Sequence, residues 1–146
     1  MAEFINIPEQ TIPYGQAIPL NVRKACNKGY ILHREGAGII TLKGAVNNCC
    51  PNVTARYQVT FNGNIAVPTD GTVGEISVAI AIAGEADGAS LAAITPAAVN
   101  QFGNVTSTTQ IDVPRGCCFE IAVENTSATN AAILVRNANL VVSRIG

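Results

Sequence analysis

The sequence predicts an all-β domain, and three observations lead to that class. Short stretches of strand-like alternation recur along the chain with turn signals between them, the pattern of a sandwich or barrel. One of these stretches sets Tyr57, Val59 and Phe61 on one face and Arg56, Gln58 and Thr60 on the other, the two-residue period of a half-buried strand. No segment holds apolar residues at helical spacing over three turns. At 146 residues the chain fits one domain with one core.

Residues 1–17 alternate Ile with polar residues and are broken by Pro8 and Pro13, a composition suited to an extended arm lying along a surface. Residues 18–146 are expected to form the sandwich. Tyr30 to Arg34 and Gly38 to Leu42 read as strands joined tightly through Glu35, Gly36 and Ala37. Arg56 to Asn62 is the half-buried strand described above. Ile65 to Val67 continues it after Asn62-Gly63-Asn64, and Pro68-Thr69-Asp70-Gly71 makes a turn. Glu75 to Ala83 is the clearest strand, with Ile76, Val78, Ile80 and Ile82 toward the core. Its other face carries Ser77, Ala79, Ala81 and Ala83, small and neutral, so another surface can approach it without desolvating a charge. Leu91 to Val99 contains Pro96, which opposes a helix by about 3 kcal/mol and points to an edge strand or loop. Gly103 to Val113 is rich in Thr and Val. Asp112 to Gly116 turns the chain into Cys117 to Glu124, and Ile133 to Arg144 closes the fold in one or two strands.

Charge is sparse. Charged residues make up 13% of the chain, about half the ~25% of ordinary soluble domains. None occurs from Gly88 to Ile111, and Arg56 is alone between Gly44 and Thr69. Low charge weakens the repulsion that keeps proteins apart, so part of the surface is expected to be covered by copies of this chain or by a larger assembly. Candidate assembly contacts are Ser77, Ala79 and Ala81 on one strand and Arg56, Gln58 and Thr60 on another. A net charge of -1 with scattered basic residues leaves no footprint for nucleic acid. No apolar run approaches the ~20 residues of a membrane-spanning helix, and no secretory signal opens the chain.

Groups able to do chemistry are few. His33 is the sole histidine, so any histidine-based triad or metal site would depend on it, and a hydrogen-bonded strand residue is the expected role. Nucleophile elbows and glycine-rich phosphate loops are absent. Asp70, and Glu85 with Asp87, lie in turns whose spacing does not match a calcium loop, so no metal, cofactor or catalysis is expected. The Asn-x-Ser/Thr patterns at Asn52, Asn104 and Asn125 are explained by an Asn- and Thr-rich composition. Cys49, Cys50, Cys117 and Cys118 form two adjacent pairs whose neighbours on a strand would point to opposite faces, which is no ready-made chelate. Two readings stand for them. One is a cross-link between the doublets, closing a loop of roughly 67 residues and worth about 4 kcal/mol in the chain-entropy model. The other is reduced thiols acting as small apolar side chains; with Cys26 the count is odd, which leaves at least one cysteine unpaired in a monomer.

The strand order resembles the TNF/C1q-like jelly roll, a trimer-forming two-sheet antiparallel sandwich. The resemblance rests on Arg56-Tyr57-Gln58-Val59-Thr60-Phe61, the aliphatic strand Ile76 to Ile82, the Val113-Pro114-Arg115-Gly116 turn before Cys117 to Val123, and the apolar last strand. It covers about Ile18 to Gly146 and implies a homotrimer. The stretches NNCCPN, ARYQVTFNGN, ITPAAV, NVTST, DVPRGCC and VENTS also resemble small bacteriophage proteins. That second resemblance implies a virion part made in the bacterial host cytoplasm, such as a capsid decoration or head-fibre protein, with a capsid or other virion protein as partner. The expected function is therefore a non-enzymatic virion structural protein attached through its N-terminal arm and neutral faces. The competing expectation is a receptor- or glycan-binding tip of a phage fibre or bacterial surface structure, for which Phe102 is the one aromatic loop residue that stands out.

Overall fold

A computed structural model describes residues 1–24, 29–34, 36–44, 54–127 and 131–145. Two antiparallel sheets pack face to face. In chain order the strands are β1 (Ala2–Asn6), β2 (Gln10–Ile12), β3 (Asn21–Lys24), β4 (Ile31–His33), β5 (Ile40–Lys43), β6 (Thr54–Ala66), β7 (Ile76–Ile82), β8 (Glu85–Ala86), β9 (Ala92–Ile94), β10 (Gly103–Pro114), β11 (Cys118–Asn125) and β12 (Ile133–Arg144). The first sheet runs β10-β6-β12-β1-β3 with β2 also paired to β12; the second runs β4-β5-β11-β7-β8 with β9 also paired to β7. The one helical turn among the described residues, Gly88–Ser90, is a short 3-10 turn capped by Asp87, whose carboxylate accepts from the Ala89 N–H.

The alternating pattern builds the core as expected. Tyr57, Val59 and Phe61 on β6 are fully buried and face Ile76, Val78 and Ile80 of β7 within one apolar cluster. Tyr57 also ties the layers together, its hydroxyl donating across the sandwich to the Lys43 carbonyl at 2.5 Å. The segments read as separate before and after Asn62-Gly63-Asn64 are one thirteen-residue strand, β6, paired with β10 from Thr54–Pro114 to Ile65–Gly103. Gly44 closes β5 where a Cβ would collide with the Pro114 carbonyl oxygen, so the residue must lack a side chain for β5 to meet the β10–β11 turn.

The N-terminal residues differ from the expectation of an arm. They are extended, but they are built into the sandwich rather than laid on it. β1 lies inside the first sheet, between β12 and β3, and buries Ala2 and Phe4. β2 buries Ile12, and Ile18 and Leu20 complete the same cluster. Ala2, Phe4 and Asn6 share the inward phase, so the prolines punctuate an element of the core.

Candidate functional site

The three longest strands, β6, β10 and β12, lie side by side and present one outward face. Because β6 and β10 pair in register over their full length, their outward residues line up in rows: Arg56 with Asp112, Gln58 with Gln110, Thr60 with Thr108, Asn62 with Thr106 and Asn64 with Asn104. Side chains bond across these rows. The Asn104 amide donates to Asn62 Oδ1 at 2.8 Å and Asn64 Oδ1 at 3.2 Å, and the Thr106 hydroxyl donates to Asn62 Oδ1 at 3.2 Å. The result across β6 and β10 is a hydrogen-bonding surface, mostly exposed, whose charges are the one ion pair at its end.

That pair is bidentate. Arg56 Nε and Nη2 donate to the two Asp112 carboxylate oxygens at 2.7 and 3.1 Å. The hydrogen bond from Arg56 holds the Asp112 carboxyl below its ordinary 3.8, and the same bond raises Arg56. The contribution of Asp112 is therefore complete above about pH 3.8, the unfolded value, and is lost as the pH falls through the lower folded value. Asp112→Asn is expected to shift the urea midpoint slightly at pH 7, because both groups are exposed. That difference should shrink as the pH drops below about 3.8; a difference that grew on acidification would contradict the assignment.

At the other end of the face, β12 carries a bulge between Arg136 and Asn139, with Asn137 in the left-handed region at φ 54°. The bulge leaves Arg136 exposed beside Asn64, its register partner, and its guanidinium stacks 3.9 Å from the centre of the Phe102 ring. Phe102 also lines a hollow of about 360 Å3 between the end of β9 and the start of β10. The loop around the hollow is tied down. Gln101 Oε1 accepts from the Ala97 N–H at 3.1 Å, and Asn100 is bonded to both the Val67 carbonyl and the Thr69 hydroxyl.

Of the expected contact residues, Arg56 and Gln58 are exposed and Thr60 half-buried, on the face just described. Ser77, Ala79 and Ala81 are placed otherwise than expected. All three are buried within this chain: Ser77 lies under Thr126 and Ser127, Ala79 opposite Glu124, and Ala81 at the floor of a hollow of about 260 Å3 walled by Ile39, Glu120 and Glu124. Small residues there permit close packing of the chain's own segments instead of an open contact face.

Cys49 and Cys50 lie outside the described residues, as does Cys26. Cys117 and Cys118 are exposed and free, in contrast to half-buried apolar side chains. Both are expected to take up a maleimide in the undenatured protein, read as two labels on the peptide that carries Cys117 and Cys118 by mass spectrometry of a digest. Protection of either without a reductant, and its loss with one, would identify the cross-link to the other doublet.

His33 lies at the end of β4, its Nε2 bonded to the Ala37 carbonyl at 2.8 Å and its ring centre 4.8 Å from that of Phe4. A carbonyl only accepts, so Nε2 carries the proton; the buried Nδ1 has no partner among the described residues. The ring shares a hollow of about 620 Å3 with Arg34, Thr41 and Glu120, and among the described residues its one hydrogen bond is to the Ala37 carbonyl. Among the described residues no three His, Cys, Asp or Glu side chains converge on a metal position. Asp87 is used in structure, accepting from Ala89 and from the Thr109 hydroxyl. No helix of the described residues is long and apolar enough to cross a membrane.

One group that sequence reading missed is Asn125. It is fully buried, its amide donates to the carbonyls of Ile12 and Ala131 at 3.0 and 2.9 Å, and its Oδ1 accepts from the Ser127 N–H and hydroxyl at 3.0 and 2.6 Å. The Asn-x-Ser pattern at this position is thus a clamp in the core, closed to glycosylation in the folded chain.

No protein-family model matches the sequence, and no curated protein matches it. Solved structures do share the fold. The globular domain of the zebrafish complement 1qA protein superposes with a TM-score of 0.66 at 12% identity, over 99% of this chain and 96% of that one. Eiger TNF from S. frugiperda gives 0.66 at 10% identity, over 99% and 91%. Murine APRIL at pH 5.0 gives 0.52 at 7% identity, over 95% of both chains. The fold is therefore the two-sheet antiparallel jelly roll of the TNF/C1q type, as the strand order led us to expect.

Proposed function

We propose that this chain is a non-enzymatic assembly module: a homotrimeric virion-surface protein, of capsid decoration or head-surface type, made in the bacterial host cytoplasm and bound to a capsid or other virion protein. The observation that carries the reading is the flat neutral face of β6 and β10, where Gln58, Gln110, Thr60 and Thr108 offer hydrogen bonds without charge. Burying such a face costs far less desolvation than burying ions. The jelly-roll fold and the phage-like stretches of sequence support the same reading. With the N-terminal residues held in the core, attachment falls to these neutral faces rather than to an arm.

Native mass spectrometry tests the assembly. A species of about three times 15.1 kDa is expected, and Gln58→Glu, which brings like charges together around a threefold contact, should convert it to monomer. A monomeric wild-type protein would remove the proposal. Particles carrying the protein should keep it through added salt, whereas a module held by ion pairs would be stripped.

The second reading, a receptor- or glycan-binding tip, is favoured by one observation, the Phe102 ring fixed under Arg136 at the rim of a hollow.

A further inference from the structure

We infer that the Phe102 end of this face is a binding site for a single sugar ring bearing a carboxylate, of the hexuronic or sialic acid class; the inference rests on the glycan-binding reading and gives it a ligand. Three groups of different chemistry meet there. Phe102, with Ile94, Pro96 and Ala97 in the hollow, presents an apolar wall suited to the C–H face of a pyranose. Asn104, Asn64 and Arg136 form one row across three strands, because Asn64 is the register partner of both the others. The Asn104 amide protons are spent on Asn62 and Asn64, so the Asn64 amide N–H groups and the remaining lone pairs of the two oxygens serve the sugar hydroxyls.

Arg136 supplies the charge. It makes no salt bridge among the described residues, and the stretch from Gly88 to Ile111 that forms the rest of the hollow has no ionisable side chain. Its Cζ lies 3.9 Å from the Phe102 ring centre, and no hydrogen bond holds its guanidinium among the described residues, which leaves a fork matched to the two oxygens of a carboxylate. The site is built before ligand arrives. Gly103 lacks the Cβ that would press on Ile94 Cδ1, Asn100 sits at φ 59°, and the bonds of Gln101 and Asn100 hold the loop. A hollow of about 360 Å3 lies at the small end of ligand pockets, about 300–1,000 Å3, which suits one ring rather than an oligosaccharide.

Titration of the full-length protein with methyl β-D-glucuronide, N-acetylneuraminic acid and neutral methyl β-D-glucoside, followed by amide NMR shifts, tests the inference. At least one acid should bind at least about tenfold more tightly than the neutral glucoside, the worth of a charge-assisted bond, with shifts centred on Phe102, Asn104 and Arg136. Arg136→Gln should abolish the preference for the acid, and Phe102→Ala should remove binding of every probe. Arg136 is exposed and Phe102 half-exposed, so both variants keep the wild-type melting temperature and native mass. Equal affinity for the glucoside and both acids would overturn the ligand class and leave glycan binding standing. No shift at the site with any probe, or acid preference surviving Arg136→Gln, would overturn the site itself. The native mass is independent of all these outcomes, so the assembly proposal is judged separately.

Discussion

Asn125→Leu is expected to destabilise the protein by about 4 kcal/mol or more, a large share of the roughly 5–15 kcal/mol that holds a domain together. The side chain spends all of its hydrogen-bonding capacity inside the fold: two amide protons go to Ile12 and Ala131, and the oxygen serves Ser127 twice. Leucine nearly preserves the volume but takes this partner from two carbonyls and an N–H and leaves the Ser127 hydroxyl only the Ser77 N–H, at about 1–3 kcal/mol for each group that water cannot reach. The neighbouring backbone depends on the same residue, since Asn125 N–H donates to Gln16 O and Gly15 N–H donates to Asn125 O. The segment joining β2 to β3 is thereby held against the end of β11. Asn125→Asp should also be strongly destabilising at pH 7, because it turns the two donors into acceptors aimed at carbonyls and buries a charge. Lowering the pH should relieve the Asp variant in part, and urea midpoints read at two pH values separate the two effects. A leucine variant within 1 kcal/mol of wild type would show that the clamp is dispensable.

Strand pattern was largely legible in the chain because it is a local property: a two-residue period at Arg56 to Phe61 or Ile76 to Ile82 needs no knowledge of the rest of the fold. What those faces meet was not legible. Ser77, Ala79 and Ala81 read as a small neutral surface, which is what they are, but the residues that cover them come from β11 and the segment after it, nearly fifty positions later for Ser77. A small side chain on an outward face is equally the mark of close cover by the chain itself. Asn125 did leave a signal. It continues the inward phase of Ile121 and Val123, so a polar residue stood in an apolar row, and its partner Ile12 is 113 residues away. The candidate sugar site was legible only as Phe102. Arg136 joins it through a bulge in β12 and the pairing of β12 with β6, neither of which has a local sequence mark.

Phe4→Ala separates the two pictures of the N-terminus most sharply. In an arm laid on a surface, the loss of one ring would spare the stability of the domain and weaken only attachment. In the sandwich, Phe4 is buried, sits opposite Leu140 on one side and Val22 on the other, and packs against His33 of the second sheet. Truncation there leaves a cavity between the layers, for which about 3–5 kcal/mol is the expected loss. Exposed residues of the same segment provide the contrast: Ile7→Ser and Tyr14→Ser remove apolar groups already in water and should change stability little. Thermal and urea unfolding of the three variants are expected to rank Phe4→Ala far below the other two. Comparable stabilities for all three, with loss of particle binding confined to Phe4→Ala, would restore the arm. Because β1 is flanked by both β12 and β3, its loosening would also leave β3 without a sheet neighbour, so the unfolding of Phe4→Ala should remain a single cooperative transition rather than a local fraying of the first residues.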